Sequence, residues 1–288
     1  MELKGVFTAI ITPFSKGAVD YGKLKELVRM QIEAGIDGIV PVGTTGESPT
    51  LSVDEHMKVI ETVIQTALGK CTIIAGTGAN STAEAVHLTA MAKAAGADAT
   101  LQVTPYYNKP TQEGLYRHFS TVADECALPV VLYNVPGRSG TTISVETIAK
   151  LSSNPNIAAV KEAGGSADRV SAIKNACDIT ILSGDDSLTL PMMAVGATGV
   201  ISVASNLIPR QMKKLVDYAA AGEMEKAMEI HFKFYQFFCD IFIETNPIPI
   251  KAAMAGRNLI NEEYRLPLCP MSEDNRKKLI AAMDSAGI

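Results

Sequence analysis

Eight short apolar runs recur along the chain, at residues 5–12, 38–42, 71–75, 99–103, 130–134, 157–161, 179–183 and 199–203. Longer amphipathic stretches separate them. Several runs are apolar at successive positions rather than alternate ones, as strands covered on both faces require. Helical spacing of apolar residues follows at 21–34, 54–68, 81–95 and 112–126, with shorter stretches near 144–151, 167–176 and 188–195. Ser52–Glu55 and Ser81–Glu84 both read S-x-x-E, the pattern of a helix-opening capping box. An echo marks the unit: Ala34-Gly35, Ala95-Gly96 and Val195-Gly196 each stand just before a strand run, reading as a helix that ends at glycine. Eight βα units in about 200 residues predict a closed (β/α)8 TIM barrel. A doubly wound open sheet is the alternative, and the count and even spacing favour the barrel.

The rest of the chain exceeds the one helix that closes a barrel. Helices are expected over 223–244, 247–254 and 273–286, with Asn246-Pro247-Ile248-Pro249 as a break between them. The resulting division is a barrel over residues 1–225 and a C-terminal helical region over 226–288, docked because no Gly/Ser-rich tether joins them. An apolar fraction of 47% supplies such a core without disulfides or metal. No apolar run approaches the roughly 18 residues of a membrane helix, and the first, stopped by Pro13, is too short for a secretory leader.

A net charge of -5 and the lack of a basic stripe argue against nucleic acid as a partner. The five cysteines are scattered, without a CxxC, as in a reducing compartment such as the cytoplasm. The four histidines are never closer than 31 residues, so no local metal motif forms.

In a TIM barrel the chemistry sits where strands end. Lys161 closes the run Ile157-Ala158-Ala159-Val160, where a charge is out of place. It either snorkels to solvent or serves as an imine-forming amine. An ordinary lysine at pKa ~10.4 is under ~0.1% neutral at pH 7, so that second role calls for a desolvated interior. Tyr133 ends the neighbouring run, as core aromatic or proton shuttle. Gly43-Thr44-Thr45-Gly46-Glu47 offers two hydroxyls and backbone amides to a small anion, unless it is an ordinary loop. Arg138 follows a Pro-Gly turn, where it is either a surface residue or a bidentate clamp for a carboxylate. Gly76-Thr77-Gly78 is half a dinucleotide fingerprint, with Ser81 where the third glycine belongs.

Two segments carry a resemblance: Gly38 to Glu47 (GIVPVGTTGE) and Tyr133 to Gly140 (YNVPGRSG), the latter followed 28 residues after Tyr133 by Lys161. With them the chain resembles, over nearly its whole length, the dihydrodipicolinate synthase and N-acetylneuraminate lyase family of pyruvate-dependent class I aldolases. Thr44-Thr45, Tyr106-Tyr107 and Arg138 point to the branch that condenses pyruvate with L-aspartate-4-semialdehyde on the route to lysine and diaminopimelate. The alternative is a sugar-acid lyase or aldolase, whose members lack the arginine. A non-catalytic ligand-binding barrel is disfavoured by the full residue set.

The resemblance implies that Lys161 forms the imine with pyruvate and that the Thr44-Thr45 region holds the pyruvate carboxylate. It further implies that Arg138 holds the second substrate and that Val203, where isoleucine is frequent, lines the pocket through its carbonyl. Tyr133, Thr44 and Tyr107 would relay protons, Tyr107 coming from a neighbouring subunit of a homotetramer built as a dimer of dimers. No metal or organic cofactor is implied. Ser48, His56, Asn80, Glu84 and Tyr106 match a set that binds L-lysine as inhibitor, with Val53 in place of a histidine that some inhibited members carry. Against that, Glu84 has its own use in a capping box, and His56 falls on a helix turn expected to face solvent.

Overall fold

The structure, a computed structural model, describes residues 3–288. Eight parallel strands close a barrel: β1 (Gly5–Ala9), β2 (Gly38–Val40), β3 (Thr72–Gly76), β4 (Ala99–Val103), β5 (Val130–Asn134), β6 (Ile157–Glu162), β7 (Thr180–Ser183) and β8 (Gly199–Ser202). Each strand pairs with the next in sequence, and β8 pairs with β1, so the barrel has no open edge. A helix follows every strand: α1 (Tyr21–Glu33), α2 (Val53–Ala67), α3 (Thr82–Ala95), α4 (Gln112–Cys126), α5 (Val145–Leu151), α6 (Ala167–Ala176), α7 (Thr189–Ala194) and α8 (Pro209–Ala220). A two-stranded hairpin, Phe14–Ser15 with Ala18–Val19, follows β1 in the chain. The sequence expectation of a (β/α)8 barrel with a helical extension is met.

Local chemistry sets the helix ends. Ser52 and Glu55 make the reciprocal bonds of a capping box at α2. The second box does not form: the Ser81 side chain caps nothing, and only its backbone oxygen accepts from Ala85 N–H. Glu84 is therefore free of a capping duty. Gly35, Gly96 and Gly196 all have φ between +81° and +112°, the left-handed turn that ends each helix before its strand.

Side-chain alternation divides the strands between two cores. Phe7, Ala9, Val40, Ile74, Leu101, Val131, Ala159, Leu182 and Ile201 fill the barrel. Their neighbours, such as Val6, Ile39, Leu132 and Val160, pack against the outer helices. Two of the strands, β1 and β2, stop two or more residues short of their apolar runs. Pro41 has no N–H for the ladder, and β2 ends before it. Beyond β1, Ile11 N–H bonds to Asn206 Oδ1 at 3.1 Å instead of to a strand.

After α8 come α9 (Met224–Asp240), α10 (Ile248–Gly256) and α11 (Glu273–Ala286). Phe234, Phe237 and Phe238 of α9 join Leu215 of α8 and Met283 of α11 in the same apolar cluster as Val6 and Val200 of the barrel. The three helices thus share one apolar core with the barrel. The break between α9 and α10 falls at Asn246-Pro247, a cis peptide.

Candidate active site

Strand register brings the first two residues together. On β6, Ala159 points into the barrel, so Lys161, two residues on, points the same way. Tyr133 on β5 is its Cα partner and belongs to the interior cluster. Lys161 Nζ sits 4.2 Å from the Tyr133 ring centroid. Both are buried, at 5% and 6% exposure. Lys161 does not snorkel to solvent.

The next residue faces outward. Glu162 is fully buried and accepts from Asn134 Nδ2, Gly164 N–H and Arg169 Nε. Arg169 comes from α6, so the turn after Lys161 is anchored to the helix layer by a charged network. Nothing in the sequence marked Glu162 beyond its place beside the lysine.

A cavity of about 600 Å³ opens above this pair, lined by Lys161, Tyr133, Thr45, Arg138 and Val203 together with Asn246. Five of the predicted residues thus share one chamber. The Gly43–Glu47 loop enters it through backbone strain. Val42 has φ +56°, a costly left-handed geometry for a β-branched residue. Gly76 makes room for it, since a Cβ there would lie 2.3 Å from the Val42 carbonyl oxygen. Within the loop, Gly46 N–H donates to Gly43 O and Glu47 N–H to Thr44 O. The N–H groups of Thr44 and Thr45 donate to no acceptor among the described residues. Both are open to a ligand.

Asn246 is the residue that sequence reasoning missed. Its Nδ2 donates to Thr45 Oγ1 at 3.0 Å, and Arg138 Nη2 donates to its carbonyl at 3.5 Å. The Thr45 hydroxyl accepts there and donates to no acceptor among the described residues, so its hydrogen is open to a ligand. The signal available was a polar residue at a helix break, and it pointed to no particular strand end. Asp186 stands in the loop after β7. It is fully buried and accepts from Ser202 Oγ, Val203 N–H and Ala204 N–H, fixing the turn after β8. The Val203 carbonyl in turn accepts from Asn206 Nδ2 at 3.0 Å.

A second cavity of about 420 Å³ adjoins the first across Tyr133, Val135 and Arg138. Thr44 faces this one, with Ser48, His56, Glu84 and Tyr106. Asn80 lies beside it and donates from Nδ2 to the Tyr106 carbonyl at 3.2 Å. His56 is buried rather than solvent-facing, its Nε2 bonded to the Gly76 carbonyl at 2.9 Å. Helix α2 turns that face inward against β3. Burial holds the His56 ring below the usual histidine range, the Gly76 bond opposing it. Burial and the Glu84 carboxylate push the Tyr106 phenol up. Tyr107 lines neither cavity. It is 91% exposed with φ +71°, held out on the loop after β4.

Among the described residues no cluster of three His, Cys, Asp or Glu could hold a metal ion, and no helix is long and apolar enough to cross a membrane. Comparison with known proteins finds that residues 2–286 match the Dihydrodipicolinate synthetase family. A 4-hydroxy-tetrahydrodipicolinate synthase from Geobacter sulfurreducens is 53% identical over 282 residues, covering 97% of each chain. Among solved structures, a chloride-inhibited dihydrodipicolinate synthase from Acinetobacter baumannii, complexed with pyruvate, superposes with a TM-score of 0.98 at 45% identity and covers both chains fully. The synthase from Cyanidioschyzon merolae with lysine bound gives 0.95 at 40% identity, covering 99% of this chain and 98% of that one.

Proposed function

From the premise that this chain belongs to the dihydrodipicolinate synthetase family, we propose how its cavity carries out the reaction. The chain is an enzyme, a lyase of class I aldolase type. It condenses pyruvate with L-aspartate-4-semialdehyde to 4-hydroxy-tetrahydrodipicolinate in lysine and diaminopimelate biosynthesis. The observation that carries the assignment of residues is the buried Lys161 on the Tyr133 ring at the floor of a chamber edged by Thr45 and Arg138.

Lys161 Nζ attacks the ketone carbon of pyruvate, and loss of water leaves a protonated imine. The Thr44 and Thr45 amides and the Thr45 hydroxyl hold the pyruvate carboxylate. The imine nitrogen draws electrons, so the methyl carbon gives up a proton and an enamine forms. That carbon bonds to the aldehyde carbon of the semialdehyde, whose carboxylate Arg138 pairs bidentately. The substrate amine then attacks the imine carbon, closes the ring and frees Lys161. The Tyr133 hydroxyl can both donate and accept, so it serves these proton transfers with Thr44.

Tyr107 completes the relay from a neighbouring subunit of a homotetramer, a dimer of dimers. Its exposure on an out-held loop supports that reading. The second cavity takes L-lysine as inhibitor, Glu84 pairing with an ammonium and Ser48, His56, Asn80 and Tyr106 giving polar contacts. Residues 1–225 form the catalytic barrel, and 226–288 the docked helical region. The reaction belongs to the cytoplasm, which suits five free cysteines. No cofactor takes part in this scheme.

Borohydride reduction in the presence of pyruvate tests the scheme. The expected product is a covalent adduct mapped to Lys161. An adduct on another lysine, or none, overturns the assignment.

A further inference from the structure

Behind the carboxylate loop lies an ion pair that lines neither cavity. Glu47, in the left-handed conformation at φ +55°, and Lys251 of α10 are both fully buried. Lys251 Nζ donates to Glu47 Oε1 at 2.5 Å and to the Thr12 carbonyl at 3.1 Å. It also sits 4.4 Å from the Phe14 ring centroid. Thr12 Oγ1 donates to the Gly46 carbonyl at 2.7 Å. The second Glu47 oxygen accepts from Arg265 N–H at 3.3 Å. The last two residues of the loop are therefore gripped from below by one ammonium, directly and through Thr12. The partners stand 204 residues apart, one in a βα loop and the other in the C-terminal helices.

Such a pair is poorly explained by stability. Taking two charges out of water costs several kcal/mol each, and apolar replacements of both are often neutral or stabilising. What it does supply is geometry. A charged contact fixed at both ends holds one backbone conformation of a loop that begins in strain at Val42.

We propose that Glu47 and Lys251 are positioning residues for pyruvate: their ion pair sets the Gly43–Glu47 loop so that the Thr44 and Thr45 donors converge on the pyruvate carboxylate. Neither residue touches a substrate. The inference rests on the loop being the carboxylate seat.

The test uses the full chain and compares Glu47→Gln, Lys251→Met, and the double variant that removes both charges. Each single variant strands one buried charge and unfolds more readily. The double variant strands none. It is expected to fold, with the pyruvate concentration that half-saturates borohydride trapping on Lys161 raised at least tenfold. The KM for the semialdehyde should stay within twofold. Thr12→Val, which frees the Gly46 carbonyl without altering charge, should move pyruvate in the same direction by a smaller factor, and it keeps the test open if the double variant does not fold. Unchanged half-saturating pyruvate in the folded double variant, or in Thr12→Val where the double does not fold, overturns the inference, as does an equal rise for both substrates. Thr45→Val separates the two ideas. If it weakens pyruvate while the pair variants do not, only the positioning role falls. If it leaves pyruvate unaffected, the loop reading falls and the positioning role with it.

Discussion

Lys161 and Tyr133 are direct register partners on adjacent strands, and the lysine ammonium lies 4.2 Å from the centre of the tyrosine ring. The parallel ladder itself sets the lysine against the tyrosine ring, with no loop involved. Phenylalanine at 133 would keep the ring and its packing but remove the hydroxyl. Tyr133→Phe is expected to lower kcat by about 10²-fold, the usual scale of a lost proton-transfer group. Borohydride trapping should still reach Lys161. Steady-state kinetics beside the trapped mass checks this, and an unchanged kcat removes Tyr133 from the relay.

Arg138 stands exposed at the mouth, with a 3.5 Å bond to the Asn246 carbonyl. Charge-assisted bonds to a carboxylate contribute about 1.5–3 kcal/mol each. Arg138→Leu should therefore lower kcat/KM for the semialdehyde by roughly 10- to 100-fold. Pyruvate trapping alone should respond by less than twofold. A matching loss in trapping would move Arg138 to the first substrate.

Lysine added to an initial-rate assay should inhibit at millimolar concentrations or below. Glu84, free of a capping bond and facing the second cavity, is the counter-charge proposed for a ligand ammonium. Glu84→Gln should raise the half-inhibiting concentration at least tenfold. Absence of inhibition in the native enzyme would retire the regulatory site.

Asp186 offers a pH test of the strand-end turn. Burial pushes its carboxyl up to about 6, outweighing the bonds from Ser202, Val203 and Ala204. The unfolded group titrates near 3.8. Between about pH 4 and 6 the folded chain therefore holds a proton that the unfolded chain has lost, and stability falls as pH rises through that window. The loss is of order 3 kcal/mol. Asp186→Asn, which cannot ionise, should lack this component. Denaturant midpoints at pH 4.5, 5.5 and 7 check it, and parallel pH slopes for the two proteins would contradict it.

Much of the site could be read before the chain was folded. Lys161 and Tyr133 were conspicuous because each ends an apolar run, and polar residues there face the mouth of a barrel. The loop after β2 was conspicuous for two hydroxyls between glycines. His56 was misplaced because a single polar residue does not say which side of a helix meets the sheet, and α2 turns it against Gly76. The Ser81 box failed because the pattern S-x-x-E permits a cap without requiring one. Asn246 was passed over because a helix break far along the chain carries no information about which strand end it covers.

Apolar run lengths, helix caps and left-handed glycines act over a few residues. The order of strands and helices therefore follows from the sequence by itself, while the inward side of Lys161 was decided by the register that puts Ala159 inside the barrel. Contacts such as Asn246 with Thr45, or Lys251 with Glu47, join segments more than 200 residues apart. Only the docking of α10 against the loop after β2 decides them. Their energy depends on burying charge and amide groups together, and no local pattern encodes where two distant polar groups will be shut away from water.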